Sequence, residues 1–321
     1  MFKATKRFDL SKLYFPIGII ILVLGALFLW QDHPKNPDTV KAGYVSSSTP
    51  TVFVHGWTSS WRSERPWVDS AELAGIARKR MMIRVKPSGK LVIKGTVKKW
   101  MKNPIIMVQF DNNRAGEFQY TKWLTKVCKL LKSKYHVDKL NFVGHSMGAY
   151  AVIYYNMLNG KSSKIPKTEK VCAVAGPYDG IIDDHKPNQP LTGPLAKLWD
   201  DAPNKNRITI SGKPKIVHPE YQILSLLKKN FPRNIRVLNI YGNLGNGSNS
   251  DGVVSTTSAL SLGYLLRDHV TYYQTFEVFG NRAQHSELHN NNIVVNREMN
   301  NFLWAKNYIP SNAADTANIQ N

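Results

Sequence analysis

Cysteine is nearly absent, with two in 321 residues. That number builds no disulfide scaffold, and without a Cys-x-x-Cys pair there is no thiolate zinc site. Acids are scarce as well: 22 Asp and Glu against 43 Lys and Arg, a net charge of +21. So cationic a chain should attract anions: nucleic acid, acidic lipid head groups or anionic wall polymers. The marks of nucleic-acid binders are missing: no zinc-finger spacing, no RNP-like aromatic motif, no basic helix joined to heptads. No nucleic-acid partner is expected. His55, His145, His185 and His218 are scattered rather than spaced as ligands. The Asn/Gly/Ser stretch at 242–250 lacks the carboxylates of a calcium loop and reads as a flexible loop. Neither a metal nor a cofactor is expected. What is present suits a globular chain: 42% hydrophobic and 11% aromatic residues can bury a substantial core.

The first 48 residues are organised differently from the rest. Residues 1–12 carry Lys3, Lys6, Arg7 and Lys12 against Asp9. Leu13 to Trp30 is then an uncharged, apolar run, close to the ~20 residues a helix needs to cross a bilayer. Cations before the run favour a cytoplasmic N-terminus and an external body. The run ends Phe28-Leu29-Trp30 and continues Gln31-Asp32-His33-Pro34, with no small-residue cleavage site and no lipobox cysteine. The expectation is a retained single-pass anchor at 13–30, with a linker over 31–48. Residues 310–321 read as a frayed tail. The body, 49–309, would then lie outside the cell membrane. There its excess cations would meet anionic lipid or wall polymer, or form a solvated surface with no specific partner.

Short apolar runs recur through the body: 51–54, 105–110, 140–143, 171–175, 235–241 and 271–279. Runs of this length read as strands buried on both faces, as in a parallel sheet. Residues 81–97 read as a β-hairpin across Pro87-Ser88-Gly89. Tyr120, Leu124, Val127 and Leu131 form one stripe of an amphipathic helix over 117–135. Residues 147–158 form another, stopped by Asn159-Gly160. The alternation predicts an α/β class with a mostly parallel central sheet flanked by helices.

Chemistry concentrates at four places. Gly144-x-Ser146-x-Gly148 lies between a strand and a helix, the context a nucleophile elbow requires. The turn is so tight that the flanking positions need glycine, while the helix N-terminus favours developing negative charge. His145 occupies the position before the serine. His55-Gly56-Trp57 follows the first strand, so the Trp57 and Met147 N–H groups are the expected oxyanion donors. The acid and base should follow in the order Ser, Asp, His. Asp251 lies in the loop after the 235–241 strand and His285 in the loop after the 271–279 strand. Asp179 is a rival acid, and His289 a rival base or a packing residue. Trp57, Trp61 and Trp67 suggest an aromatic loop beside the site. Residues 180–234 form an insertion after the sixth strand, either a lid or acyl-binding wall, with Leu191, Leu195, Leu198 and Trp199, or extra core packing. A helix is expected from Pro219. Cys128 and Cys172 read as buried free thiols.

His55-Gly56-Trp57, GHSMG, the Tyr178-Asp179-Gly180 turn, SDGVV and HSELHNN, behind an N-terminal anchor, resemble a family of cell-surface α/β-hydrolases of firmicute bacteria. The resemblance spans roughly residues 50–305. It implies the α/β-hydrolase fold and esterase-type chemistry, with Ser146 as nucleophile, Asp251 as acid, His285 as base, and Trp57 and Met147 at the oxyanion hole. One position departs: Tyr178-Asp179-Gly180 stands where the family leads one to expect Phe-Asn-Gly. The expected activity is hydrolysis of a small-molecule or lipid carboxylic ester. An acyltransferase would use the same triad, and a non-catalytic basic surface-binding module could share the fold. The triad also serves peptidases and amidases.

Overall fold

The computed structural model describes residues 38–182 and 201–311. The expected basic segment, the 13–30 anchor, the start of the linker, Leu191, Leu195, Leu198, Trp199 and most of the tail lie outside the described residues. Among the described residues no helix is long and apolar enough to cross a membrane.

The apolar runs are strands: β1 (Thr51–Val54), β2 (Arg78–Val85), β3 (Leu91–Gly95), β4 (Pro104–Phe110), β5 (Lys139–His145), β6 (Lys167–Val174), β7 (Arg236–Asn243) and β8 (Tyr272–Phe279). They form one sheet in the order β3-β2-β4-β1-β5-β6-β7-β8. Every pairing is parallel except β2–β3, the predicted hairpin at the edge. Helices α1 (Trp61–Leu73), α2 (Glu117–Tyr135), α3 (Met147–Asn159), α4 (Pro219–Leu227), α5 (Thr256–Leu260), α6 (Leu262–Leu266) and α7 (Ile293–Trp304) join them.

Strand alternation sorts the core into two layers. Val52 and Val54 face one layer with Leu124 of α2, Val152 of α3 and Leu265 of α6. Phe53 faces the other with Trp67 of α1 and Phe302 of α7. The predicted α2 stripe is buried, and a left-handed His136 (φ 52) ends the helix. Helix α3 is not amphipathic: eight of its apolar residues, from Met147 to Met157, are buried in a helix packed between sheet, α2 and α4. Gly160 ends it in right-handed conformation. Its need for glycine comes from contact instead, since a Cβ there would lie 2.4 Å from the Pro232 ring.

Two boundaries move. The folded body begins at Val40 rather than 49. Residues expected to be linker are tied to it: Lys41 N–H donates to Gly75 O, and Val45 N–H to Trp304 O. Trp61 and Trp67 lie on helix α1, not on a loop. Pro66 inside that helix masks the pattern, because an internal proline removes a backbone donor and usually marks a boundary. Ser60 caps the helix, its side chain accepting from Arg62 N–H.

Candidate active site

Parallel strands bring their C-terminal ends to one edge, and all the predicted catalytic residues leave from there. Ser146 follows β5 directly and has φ 54 and ψ −127, a conformation that L-residues seldom adopt. Three glycines make the turn possible. A Cβ on Gly144 would lie 2.7 Å from Ala149 Cα, and one on Gly148 would lie 2.4 Å from Val54 O. A Cβ on Gly56 would lie 2.9 Å from Ser146 Cβ, so the loop after β1 presses its backbone against the serine. Ser146 is 7% exposed, and among the described residues its Oγ makes no hydrogen bond.

His55 builds the oxyanion loop rather than entering it. Its Nδ1–H donates to Gly56 O at 2.9 Å, and its Nε2 accepts from Phe110 N–H at 3.0 Å. Burial lowers its pKa to about 4, so the ring is neutral and this tautomer is held. The Tyr120 hydroxyl also reaches Gly56 O (3.2 Å) and Asn113 O (2.9 Å), while Thr58 N–H donates to Asn113 O. Met147 N–H opens α3 and has no intrahelical acceptor, as the first turn of any helix requires.

Asp251 and His285, the expected acid and base, meet across two loops. His285 Nδ1–H donates to Asp251 Oδ2 at 2.8 Å. The other oxygen, Oδ1, accepts from Val253 N–H (2.9 Å) and Val254 N–H (2.7 Å). His285 N–H also donates to Asp251 O at 2.9 Å, so backbone and side chain are both registered. Asp251 is 1% exposed. Gly242 near the end of β7 permits this approach, since a Cβ there would lie 2.1 Å from Ala283 O and 2.8 Å from Asp251 Cβ. Sequence reading missed Gly242 because it looked like the first residue of a glycine-rich loop, whereas β7 runs on through Asn243. That loop is braced: Leu244 N–H donates to Ser250 O, and Asn243 and Asn246 accept from backbone two residues on.

The two rival residues make other contacts. Asp179 accepts from Asn206 Nδ2 (2.8 Å) and His218 N–H (2.9 Å), and its own N–H donates to Ser258 Oγ. It pins the described part of the insertion to α5. The His218 ring, 3.4 Å from the Asp179 carboxylate, is pushed up to about 9 by that contact. His289 stands edge-on to His145, centroids 4.6 Å apart, and both meet Trp67. Burial, aided by His285, lowers His289 to about 4. His145 Nε2–H donates to His285 O at 3.3 Å, and burial holds its pKa well below the ordinary histidine value. Both rings are therefore neutral and packed beside His285. Met147 and Ile181 are buried beside half-buried Trp57 and Val253, an apolar wall at the elbow. Ile182 N–H donates to Val253 O, so the insertion springs from the acid loop. Among the described residues no three His, Cys, Asp or Glu side chains are grouped to hold a metal.

Residues 38–306 match the model of a family described as alpha/beta hydrolase of unknown function (DUF915). The chain belongs to this family. Among solved structures it is similar to the product of gene lin2722 from Listeria innocua, at 23% identity and TM-score 0.68, over 79% of this chain and 93% of that one. It is also similar to a protein described as a candidate cell surface hydrolase from Lactobacillus plantarum WCFS1, at 17% identity and TM-score 0.60, over 84% and 96%. At these identities the likeness establishes the α/β-hydrolase fold. No curated protein matches the sequence.

Proposed function

We propose that this family member is a serine hydrolase acting on a carboxylic ester, with its body held outside the cell by the 13–30 segment. The observation that carries the reading is the Asp251–His285 contact at 2.8 Å, between loops that follow two neighbouring strands. An acid whose second oxygen is fully occupied by backbone N–H groups is preorganised to hold an imidazole in one tautomer. With Nδ1 protonated toward Asp251, Nε2 of His285 is left as the basic nitrogen. It takes the Ser146 proton as Oγ attacks the ester carbonyl. The tetrahedral oxyanion is met by the Met147 and Trp57 N–H groups, and Asp251 stabilises the imidazolium. His285 then protonates the leaving alcohol. Water repeats the sequence in reverse to free Ser146, leaving acid and alcohol. The Met147, Ile181, Trp57 and Val253 wall suits an apolar acyl group.

The test is covalent labelling of the full chain by a fluorophosphonate probe, beside Ser146→Ala. Labelling of the parent chain alone is the expected result, followed by turnover of an ester series graded by acyl length. A folded parent chain that stays unlabelled, or a variant that labels equally, overturns the reading.

A further inference from the structure

All the parallel strands start at the sheet edge opposite Ser146, and that edge is cationic. Arg78, Lys139, Lys167 and Arg236 are the first residues of β2, β5, β6 and β7. Lys139 and Lys167 are direct register partners, and of the two Lys139 is paired with Glu169 at 2.6 Å. At the same edge, just before β7 and β8 begin, lies a cleft of about 810 Å³. Lys228, Lys229, Arg233, Arg267 and His269 line it against a single acid, Asp268. Among the described residues none of those four Lys and Arg side chains forms an ion pair, although Lys228 stacks over Tyr264 at 4.2 Å.

Exposed apolar side chains stand in and near this cleft. Ile210, which lines it, is fully exposed at the tip of a turn closed by Thr209 N–H to Lys213 O. Leu226, one helical turn before Lys229, is 83% exposed. Arg207, Lys213 and Lys215 are exposed around the Ile210 turn. A soluble polyanion would be held by charge alone and gains nothing from bare isoleucine and leucine. A membrane interface rewards both: cations meet head-group phosphates while short apolar side chains enter the acyl boundary.

We propose that this edge of the sheet, centred on the cleft between the Ile210 turn, α4 and α6, docks on a bilayer of anionic phospholipid. β1 also begins at this edge, so the chain enters the body from the docking side. The candidate active site faces the opposite way, toward substrates off that bilayer. The inference uses none of the catalytic assignments and stands or falls separately from them.

Position 210 gives the test. In the full chain carrying Ile210→Cys, an environment-sensitive thiol dye should label that position, because Cys128 and Cys172 are buried. Phosphatidylglycerol vesicles should shift the dye to the blue and shield it from aqueous iodide. Phosphatidylcholine vesicles should do neither, and since any tether acts equally in both lipids the difference reads docking. Adding K229E, R233E and R267E should reduce the docked-to-undocked ratio at least about 100-fold, from ~1 kcal/mol per basic residue at an anionic surface. With the Ile210→Cys chain lacking the charge reversals, ~0.5 M salt should release the dye, a check that needs no charge-reversed variant. Equal spectra in both lipids, or a shift that survives high salt, overturns the proposal. Shielding by soluble polyglycerol phosphate as strong as that by vesicles overturns it too, and reassigns the surface to a wall-type polymer.

Discussion

Ser146 holds a backbone conformation that costs about 1–3 kcal/mol in residues bearing a Cβ. Ser146→Ala keeps that Cβ, and so keeps the strain while removing the nucleophile. Ser146→Gly relieves it. We expect both to abolish turnover and the glycine variant to be about 1 kcal/mol more stable than the alanine one, read from denaturant midpoints. Equal midpoints would mean that the elbow stores no strain. The two aspartates separate in the same way. Asp251→Asn should lower kcat by about 10⁴, since the imidazole loses its tautomer and counter-charge. Asp179→Asn should leave kcat near the parent value and cost about 1–3 kcal/mol of stability, because it weakens a buried clamp on the insertion. The reverse pattern would exchange their roles. Glu64 gives a pH signature. It is buried beside Ser63, whose hydroxyl donates to it at 2.7 Å, and burial raises its pKa from 4.5 to about 8. The folded chain therefore keeps a proton there that the unfolded chain releases above pH 4.5, so this group lowers stability as pH rises from about 4.5 to 8. The slope is about 1.4 kcal/mol per pH unit. Glu64→Gln should remove that slope, so its advantage over the parent in thermal midpoint should grow between pH 5 and 8.

The elbow, the acid loop and the base loop are each short, and their mutual placement depends on where strands and helices end. Strand β7 carries the acid to the site only because it runs to Asn243 and passes within contact of Ala283. Gly242→Ala would drive a methyl into Ala283 O and Asp251 Cβ, at 2.1 and 2.8 Å before relaxation. We expect it to cost about 1–3 kcal/mol, as overpacking does, and to lower kcat more than it raises KM, because it parts Asp251 from His285. A KM effect with unchanged kcat would mean the loops move together. Helix α1 illustrates a different dependence. It delivers Trp67, fully buried, whose indole N–H donates to Leu288 O at 3.2 Å in the base loop. That contact joins the helix after β1 to the segment after β8, and no local pattern announces it.

Several cations gather where the parallel strands start. The starting edge of the sheet carries Arg78, Lys139, Lys167 and Arg236, whereas the finishing edge carries the buried Asp179 and Asp251. A net charge of +21 is thus not spread evenly over the surface, and the proposed docking would set this edge on an anionic surface with Ser146 facing away. The core reports on the whole fold through its thiols. Cys128 and Cys172 are both buried and free, one in each layer, and burial pushes the Cys128 thiol up to about 12. Neither should react with an aqueous disulfide reagent in the native protein. Labelling should follow global unfolding in denaturant, with both thiols appearing together. Reaction of one before the other would show that its layer opens independently.

Strands β1, β4 and β5, helix α2 and the Gly-x-Ser-x-Gly turn were legible from residues alone. Each is set by nearest neighbours: an apolar run buried on both faces, a 3.6-residue stripe, or glycines without which the turn cannot close. The chain order of Ser146, Asp251 and His285 was legible for the same reason, as each follows a strand. The residues alone favour Asp251 over Asp179, and the folded chain adds what their surroundings are: one touches His285, the other Asn206 and His218. The neutral role of His145 and His289 came from packing against Trp67, across residues far apart in sequence. So did the cationic edge. Its Lys and Arg residues lie far apart along the chain and form one surface only when parallel strands bring their first residues side by side. Local pattern dictates which elements form. Long-range contact, which no window of sequence contains, dictates which side chains meet.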